Sequence, residues 1–162
     1  MIKIKTILNK VLSFVISMLL VVMTTLVLWQ VFTRYILNNP STFTEELVII
    51  ILIWTSFLGT AFAFGTRQHM ALIFLKEKLH GKKRIMLEVF IDLLVLLFAV
   101  IILIFGGKAI TEGVFSVKTP ILGISRGLIY ISTVVSGVII TFYQLVNILE
   151  DLKIRDNLEK ID

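Results

Sequence analysis

The chain has 162 residues, of which 57% are hydrophobic and 17% are charged, with a net charge of +5 and no cysteine. A mean hydropathy of +0.99 excludes an ordinary water-soluble domain, and the absence of cysteine excludes a thiolate metal site, a dithiol redox centre and a disulfide. The basic balance does not indicate a nucleic-acid partner, because the Lys and Arg residues lie at the ends of apolar runs, as in membrane proteins.

Four long apolar runs divide the chain. A helix of about 20 predominantly apolar residues crosses the core of a bilayer, and each run reaches that length. We therefore predict an all-α membrane protein, a single domain over 1–162, with four transmembrane helices. The first run is too long for the apolar region of a signal peptide, which favours a retained span. The predicted spans are 11–37, 43–66, 85–107 and 125–149.

The basic residues predict the orientation in the membrane. If the N-terminus is cytoplasmic, twelve of the 16 Lys and Arg residues lie on the cytoplasmic side. The positive-inside rule therefore places both termini in the cytoplasm. The connection between the second and third spans carries six of these twelve residues, and its short apolar run precedes a Lys-rich stretch. It is long enough for a short helix lying on the membrane surface.

The first helical hairpin places three charges near one membrane surface. With 39–41 at its tip, Arg34 lies at the depth of Glu46 and within one turn of Glu45. A charge at that depth is costly unless it is paired, and a guanidinium can bind a carboxylate through two hydrogen bonds. We predict an ion pair that locks the hairpin or docks another subunit. A substrate or cation site is the alternative.

The third span carries two acidic residues near its cytoplasmic end. Glu88 and Asp92 are four residues apart and so share one helix face. Adjacent carboxylates in a membrane can form a proton relay. However, Arg67 and the basic residues 82–84 are predicted at the same surface. This favours a charge cluster that fixes the ends of the helices.

The sequence shows no catalytic or cofactor-binding constellation. The two histidines, His69 and His80, fall in one connection, so no pair faces across the predicted bundle to bind haem or a metal. There is no nucleophile with its base and no glycine-rich phosphate loop. We therefore predict no cofactor, no metal site, no substrate-binding residue and no enzymatic activity.

Short motifs in a fixed order resemble a known family. They are QVFTRY at 30–35, FTEEL at 43–47, Trp54, LGTA at 58–61, RQH at 67–69, TPILGI at 119–124 and GLIY at 127–130. Together, over about residues 25–145, they are similar to the small membrane subunit of tripartite ATP-independent periplasmic (TRAP) transporters, the DctQ-type or Q subunit. The family more often has Pro where this chain has Ser125, and Trp where it has Phe43.

The resemblance implies a subunit of a sodium symporter in the bacterial inner membrane that imports an organic acid, such as sialic acid or a C4-dicarboxylate. The implied partners are a large multi-span M-type subunit, a periplasmic substrate-binding protein and membrane lipids. In such transporters the small subunit scaffolds the large one and does not itself carry substrate. The residues expected to form ion pairs or to dock the large subunit are Arg34, Glu45, Glu46, Trp54, Arg67, His69, Glu88 and Asp92.

Two other classes stay open. A small four-span proton-coupled exporter needs an acidic residue in the middle of its first span, and residues 11–33 contain none. A membrane structural or interaction protein fits the same apolar pattern without any transport role.

Overall fold

The computed structural model describes residues 2–66 and 82–159. Within these ranges the chain is helical and has no β-strand. Four helical stretches are long and apolar enough to cross a membrane, which confirms the predicted fold class. The predicted interfacial helix falls mainly outside the described residues. The elements are α1 (Ile2–Tyr35), α2 (Thr42–Gly65), α3 (Lys82–Phe98), a π-helix (Ala99–Gly106), α4 (Gly107–Gly113) and α5 (Arg126–Glu159).

Three of the four membrane-spanning stretches are longer than the predicted spans, whereas α2 matches its predicted length. α1 and α5 each contain 34 residues, or about 50 Å at 1.5 Å per residue, against about 30 Å for the bilayer core. The third span includes the π-helix and continues past 107 through α4 to Gly113. Hydropathy marks the apolar portion of a helix and not its ends, because charged residues such as Lys and Glu also favour helix.

The backbones of the described helices approach one another as a row, α1, α2, α5 and the third span, and side chains of α1 also reach α5. α1 packs against α2, α2 against α5, and α5 against the third span formed by α3, the π-helix and α4. Leu12, Leu58 and Tyr143 form one buried cluster between the first three helices of this row. The most apolar stretch of α5 is 44% buried, whereas that of α1 is only 6% buried. α5 is therefore central, and α1 and the third span leave broad apolar faces outside.

Small residues allow the helix backbones to approach closely. A Cβ added at Gly137 on α5 would lie 2.8 Å from the Cβ of Leu103 in the π-helix. A Cβ added at Gly65, the last residue of α2, would lie 2.5 Å from the ring of Tyr143 on α5. The contacts of α5 with both neighbours therefore depend on glycine.

The two ends of the molecule along the helix axes differ. We call the loop end the one that holds the α1–α2 connection, residues 36–41, and the segment 114–125, which we call the outer loop. The terminal end holds the start of α1 and the last turns of α5, where Lys5 and Glu150 meet. The positive-inside prediction puts the terminal end in the cytoplasm.

Candidate functional site

Glu46 connects α2 to the outer loop. Its Oε2 accepts the backbone N–H of Ile121 at 2.9 Å and that of Leu122 at 3.3 Å. Hydrogen bonds from two amides stabilise an ionised carboxylate without a cation. One acidic side chain in the first turns of α2 therefore fixes the outer loop, which is 75 residues away in sequence.

The outer loop is a compact turn. Thr119 donates its backbone N–H to the carbonyl of Ile124 at 2.8 Å, and its Oγ1 accepts the N–H of Ile124 at 3.1 Å. Gly123 has φ +64°, a left-handed conformation that glycine adopts without strain. The backbone N–H of Arg126 then donates to the carbonyl of Val117 at 2.8 Å, which closes the turn where α5 begins.

Arg34 and Glu45 lie exposed at the loop end. Neither forms an ion pair with any other described residue. The predicted intrachain partner Glu46 binds Ile121 and Leu122 instead, so the structure does not bring Arg34 to it. Equal depth along a hairpin does not fix the direction in which each side chain points around its helix. A role of Arg34 and Glu45 in docking another subunit stays a prediction.

The remaining predicted residues fall in different places. Asp92 is buried and Glu88 is half-buried on α3, and both make contacts in the structure. Trp54 packs on the buried Leu12, Leu58 and Tyr143 cluster in the membrane-spanning part of α2. It therefore contributes to the core of the chain. Arg67 and His69 lie outside the described residues.

A polar cluster that the sequence analysis missed joins α1 to α5 at the terminal end. The Nζ of Lys5 donates to Asn147 Oδ1 at 2.8 Å and lies 3.2 Å from Glu150 Oε2. The hydroxyl of Tyr143 donates to Asn9 Oδ1. The spacing could have indicated this cluster, because 5 and 9 on α1, and 143, 147 and 150 on α5, recur at helical intervals of three to four residues.

A second polar contact joins α2 to α5 inside the membrane-spanning region. Ser136, which is fully buried, donates its hydroxyl to the carbonyl of Phe57 at 2.7 Å. Ser132 is also fully buried and donates to the carbonyl of Ile129 in its own helix at 2.7 Å. Serine, as a small residue, permits close helix contact at these positions.

The outward faces of the end helices are apolar and large. On α1, Phe14 is 69% and Leu28 is 65% exposed; on the third span, Phe90 is 56% and Phe105 is 67% exposed. Across 2–66 and 82–159, no three His, Asp or Glu side chains gather as potential metal ligands. The fold and its contacts define a small multi-pass membrane protein with polar clusters near its two ends and apolar helix faces between them.

Comparison with known proteins identifies its family. Residues 23–154 match the family described as tripartite ATP-independent periplasmic transporters, DctQ component. The chain belongs to this family, whose members are components of transporters and not enzymes.

Two relatives show how far the similarity extends. The sialic acid TRAP transporter small permease protein SiaQ of Vibrio cholerae serotype O1 is 31% identical over 126 residues, which cover 78% of this chain and 72% of the relative. A putative TRAP transporter small permease protein of Haemophilus influenzae is 30% identical over 133 residues, covering 82% of each chain. The chain is thus a small TRAP permease subunit.

Proposed function

We propose that this chain is the scaffold of a sodium-coupled TRAP transporter in the bacterial inner membrane. It binds the large multi-span subunit within the bilayer and does not itself carry substrate. The assembled transporter imports an organic acid that a periplasmic binding protein delivers. Sialic acid is the first candidate, because SiaQ of Vibrio cholerae is described as part of a sialic acid transporter. A C4-dicarboxylate is the second.

The low burial of the two outer helices is the observation that supports the scaffold role. A closed bundle would direct the apolar faces of its helices toward one another. Here the most apolar stretch of α1 is 6% buried and that of the third span is 11% buried. Apolar faces of this extent can contact lipid tails or another membrane protein, and because the chain is a small TRAP permease subunit we assign one of them to lateral contact with the large subunit.

The positions of the polar groups support a role without substrate transport. Substrate sites of secondary transporters lie near the middle of the bilayer, between interrupted helices with free polar backbone groups. The charged contacts described here lie toward the ends of the helices, at Glu46 and at Lys5 with Glu150. The mid-helix hydroxyl of Ser136 is already bonded to the carbonyl of Phe57.

Reconstitution tests the proposal directly. The chain alone, the large subunit alone, and both together with the binding protein should be placed in liposomes with an inward sodium gradient. We expect uptake of labelled sialic acid only by the complete set, and no uptake when potassium replaces sodium outside.

Each of these liposome preparations tests a separate part of the proposal. Uptake by the isolated chain would contradict the scaffold role. Full uptake by the large subunit in the absence of this chain would contradict it as well. Uptake of a C4-dicarboxylate but not of sialic acid would overturn only the substrate.

A further inference from the structure

A cavity at the loop end combines two opposite charges with an apolar floor. It has a volume of about 210 Å³ and lies between α2, α5 and the outer loop. Glu46 and Arg126 line it from the first turns of α2 and α5, and Ile49 and Ile53 line it one and two turns further along α2. Because a helix rises 1.5 Å per residue, the charges lie nearer the membrane surface than the isoleucines.

Both charged groups retain free hydrogen-bonding capacity. The Thr119 side chain, which also lines the cavity, acts favourably on the Glu46 carboxylate. By hydrogen-bond geometry, however, Oε1 of Glu46 is buried and has no partner among the described residues, while Oε2 accepts the amides of the outer loop. Arg126 forms no ion pair with any other described residue, although its charge acts favourably on Glu46. A buried carboxylate oxygen without a donor is costly. The cavity therefore presents one carboxylate oxygen that can accept a hydrogen bond and one guanidinium that can bind an anion.

We propose that this cavity binds the headgroup of phosphatidylethanolamine. The ammonium group donates to Oε1 of Glu46, and the phosphate accepts hydrogen bonds from Arg126. One acyl chain lies along Ile49 and Ile53 toward the middle of the bilayer. The headgroup brings a cation and an anion joined by a short linker, which complements the opposite charges on the rim of the cavity. Ile49 is 55% exposed, so the floor is open to lipid.

The chemistry distinguishes this lipid from other phospholipids. Phosphatidylcholine carries a quaternary ammonium without an N–H, so it cannot donate to the buried oxygen of Glu46. Phosphatidylglycerol offers a phosphate to Arg126 and glycerol hydroxyls that can donate to Glu46, but it brings no cation, so its hydrogen bond to the carboxylate lacks a positively charged donor. A lysine from a partner subunit could satisfy Glu46 but would leave Arg126 without an anion.

Native mass spectrometry of the full chain tests the proposal. The protein should be titrated with phosphatidylethanolamine, phosphatidylcholine and phosphatidylglycerol of identical acyl chains. We expect one phosphatidylethanolamine to bind at least about tenfold more tightly than either other lipid, as expected for one hydrogen bond to a charged group. Equal binding of phosphatidylglycerol, or no retained lipid, would overturn the proposal.

Matched variants locate the site. Arg126→Gln and Glu46→Gln should each weaken phosphatidylethanolamine binding about tenfold. Glu46→Gln keeps an oxygen for the amides of the outer loop, so a loss of binding does not require the loop to unfold. Lys118→Gln removes one positive charge from the outer loop outside the cavity and should leave binding unchanged. If it weakens binding as much as Arg126→Gln, the contact is general charge attraction and the proposal is wrong.

The same titration on the complex with the large subunit separates the lipid from a protein occupant. We expect phosphatidylethanolamine to remain bound. Its displacement on assembly would mean that the partner fills the cavity, which would contradict the proposal. Because binding is read directly, failure of transport would not affect this result.

Discussion

Replacing Gly65 with alanine should destabilise the protein, although the same change favours most helices. A Cβ on Gly65 would lie 2.5 Å from Cζ of Tyr143 and 2.7 and 2.8 Å from two other ring carbons. The ring has little room to move, since Tyr143 is fully buried and its hydroxyl is bonded to Asn9. Overpacking costs about 1–3 kcal/mol, against at most roughly 0.5–1 kcal/mol gained by removing a helical glycine. We expect a net loss of about 1–2 kcal/mol.

Gly59 provides the matched control in the same helix. A Cβ at Gly59 meets nothing within 4 Å, so Gly59→Ala should leave the stability unchanged or raise it slightly. The loss at Gly65 should also depend on the ring. In a Tyr143→Leu background, Gly65→Ala should be nearly neutral, which corresponds to a coupling of about 1–2 kcal/mol between the two positions.

The free energy of unfolding can be measured by titrating the purified chain in mixed micelles with a denaturing detergent, followed by circular dichroism. The four proteins of the cycle and Gly59→Ala should be measured under identical conditions. Equal stability of Gly65→Ala and Gly59→Ala would refute the reasoning. The same loss with Leu at position 143 would show that the ring is not the cause.

Three further outcomes are expected. Ser136→Ala removes the hydrogen bond to the Phe57 carbonyl and should cost about 0.6 kcal/mol in the same titration; no loss would mean that the bond contributes nothing. Arg34→Ala should reduce co-purification of the large subunit and leave the apparent substrate affinity of the surviving complex unchanged, whereas normal assembly with about tenfold weaker affinity would indicate substrate contact. A single cysteine at Asn39 should react with an impermeant reagent from outside the cell, and one at Asn157 only after permeabilisation; the reverse would contradict the predicted orientation.

The number of membrane-spanning helices could be predicted from the sequence because it follows from local composition. An apolar run of 20 residues has few alternatives to a transmembrane helix, whatever surrounds it. The close packing at the serines of α5 could have been predicted in the same way, since small residues on an apolar helix indicate close packing. Both inferences use only residues that are neighbours in the chain.

The environment of Glu46 could not be predicted in the same way. Its partners, the amides of Ile121 and Leu122, are backbone groups and carry no sequence signal. The sequence analysis compared only the depths of residues in the first hairpin and not their directions around the helix axis. For that reason it predicted Arg34 as the partner of Glu46. The order in which the helices pack could not be predicted from the sequence either. It depends on which face of α5 meets which neighbour, and most faces here are apolar.

The π-helix determines which way the rest of the third span faces. Its i→i+5 turns hold more residues than α-turns, and one extra residue rotates everything after it by about 100° around the helix axis. Gly107 follows directly, and a Cβ there would lie 3.1 Å from Val134 on α5. Deleting one residue from Ala99–Gly106 would barely change the hydropathy, and a return of this stretch to α-helix would keep Gly107 facing α5. The same deletion within α3 would leave the π-helix in place and would turn Gly107 away from α5 by about 100°. The consequence of losing one residue in the third span therefore depends on whether the π-helix can absorb it.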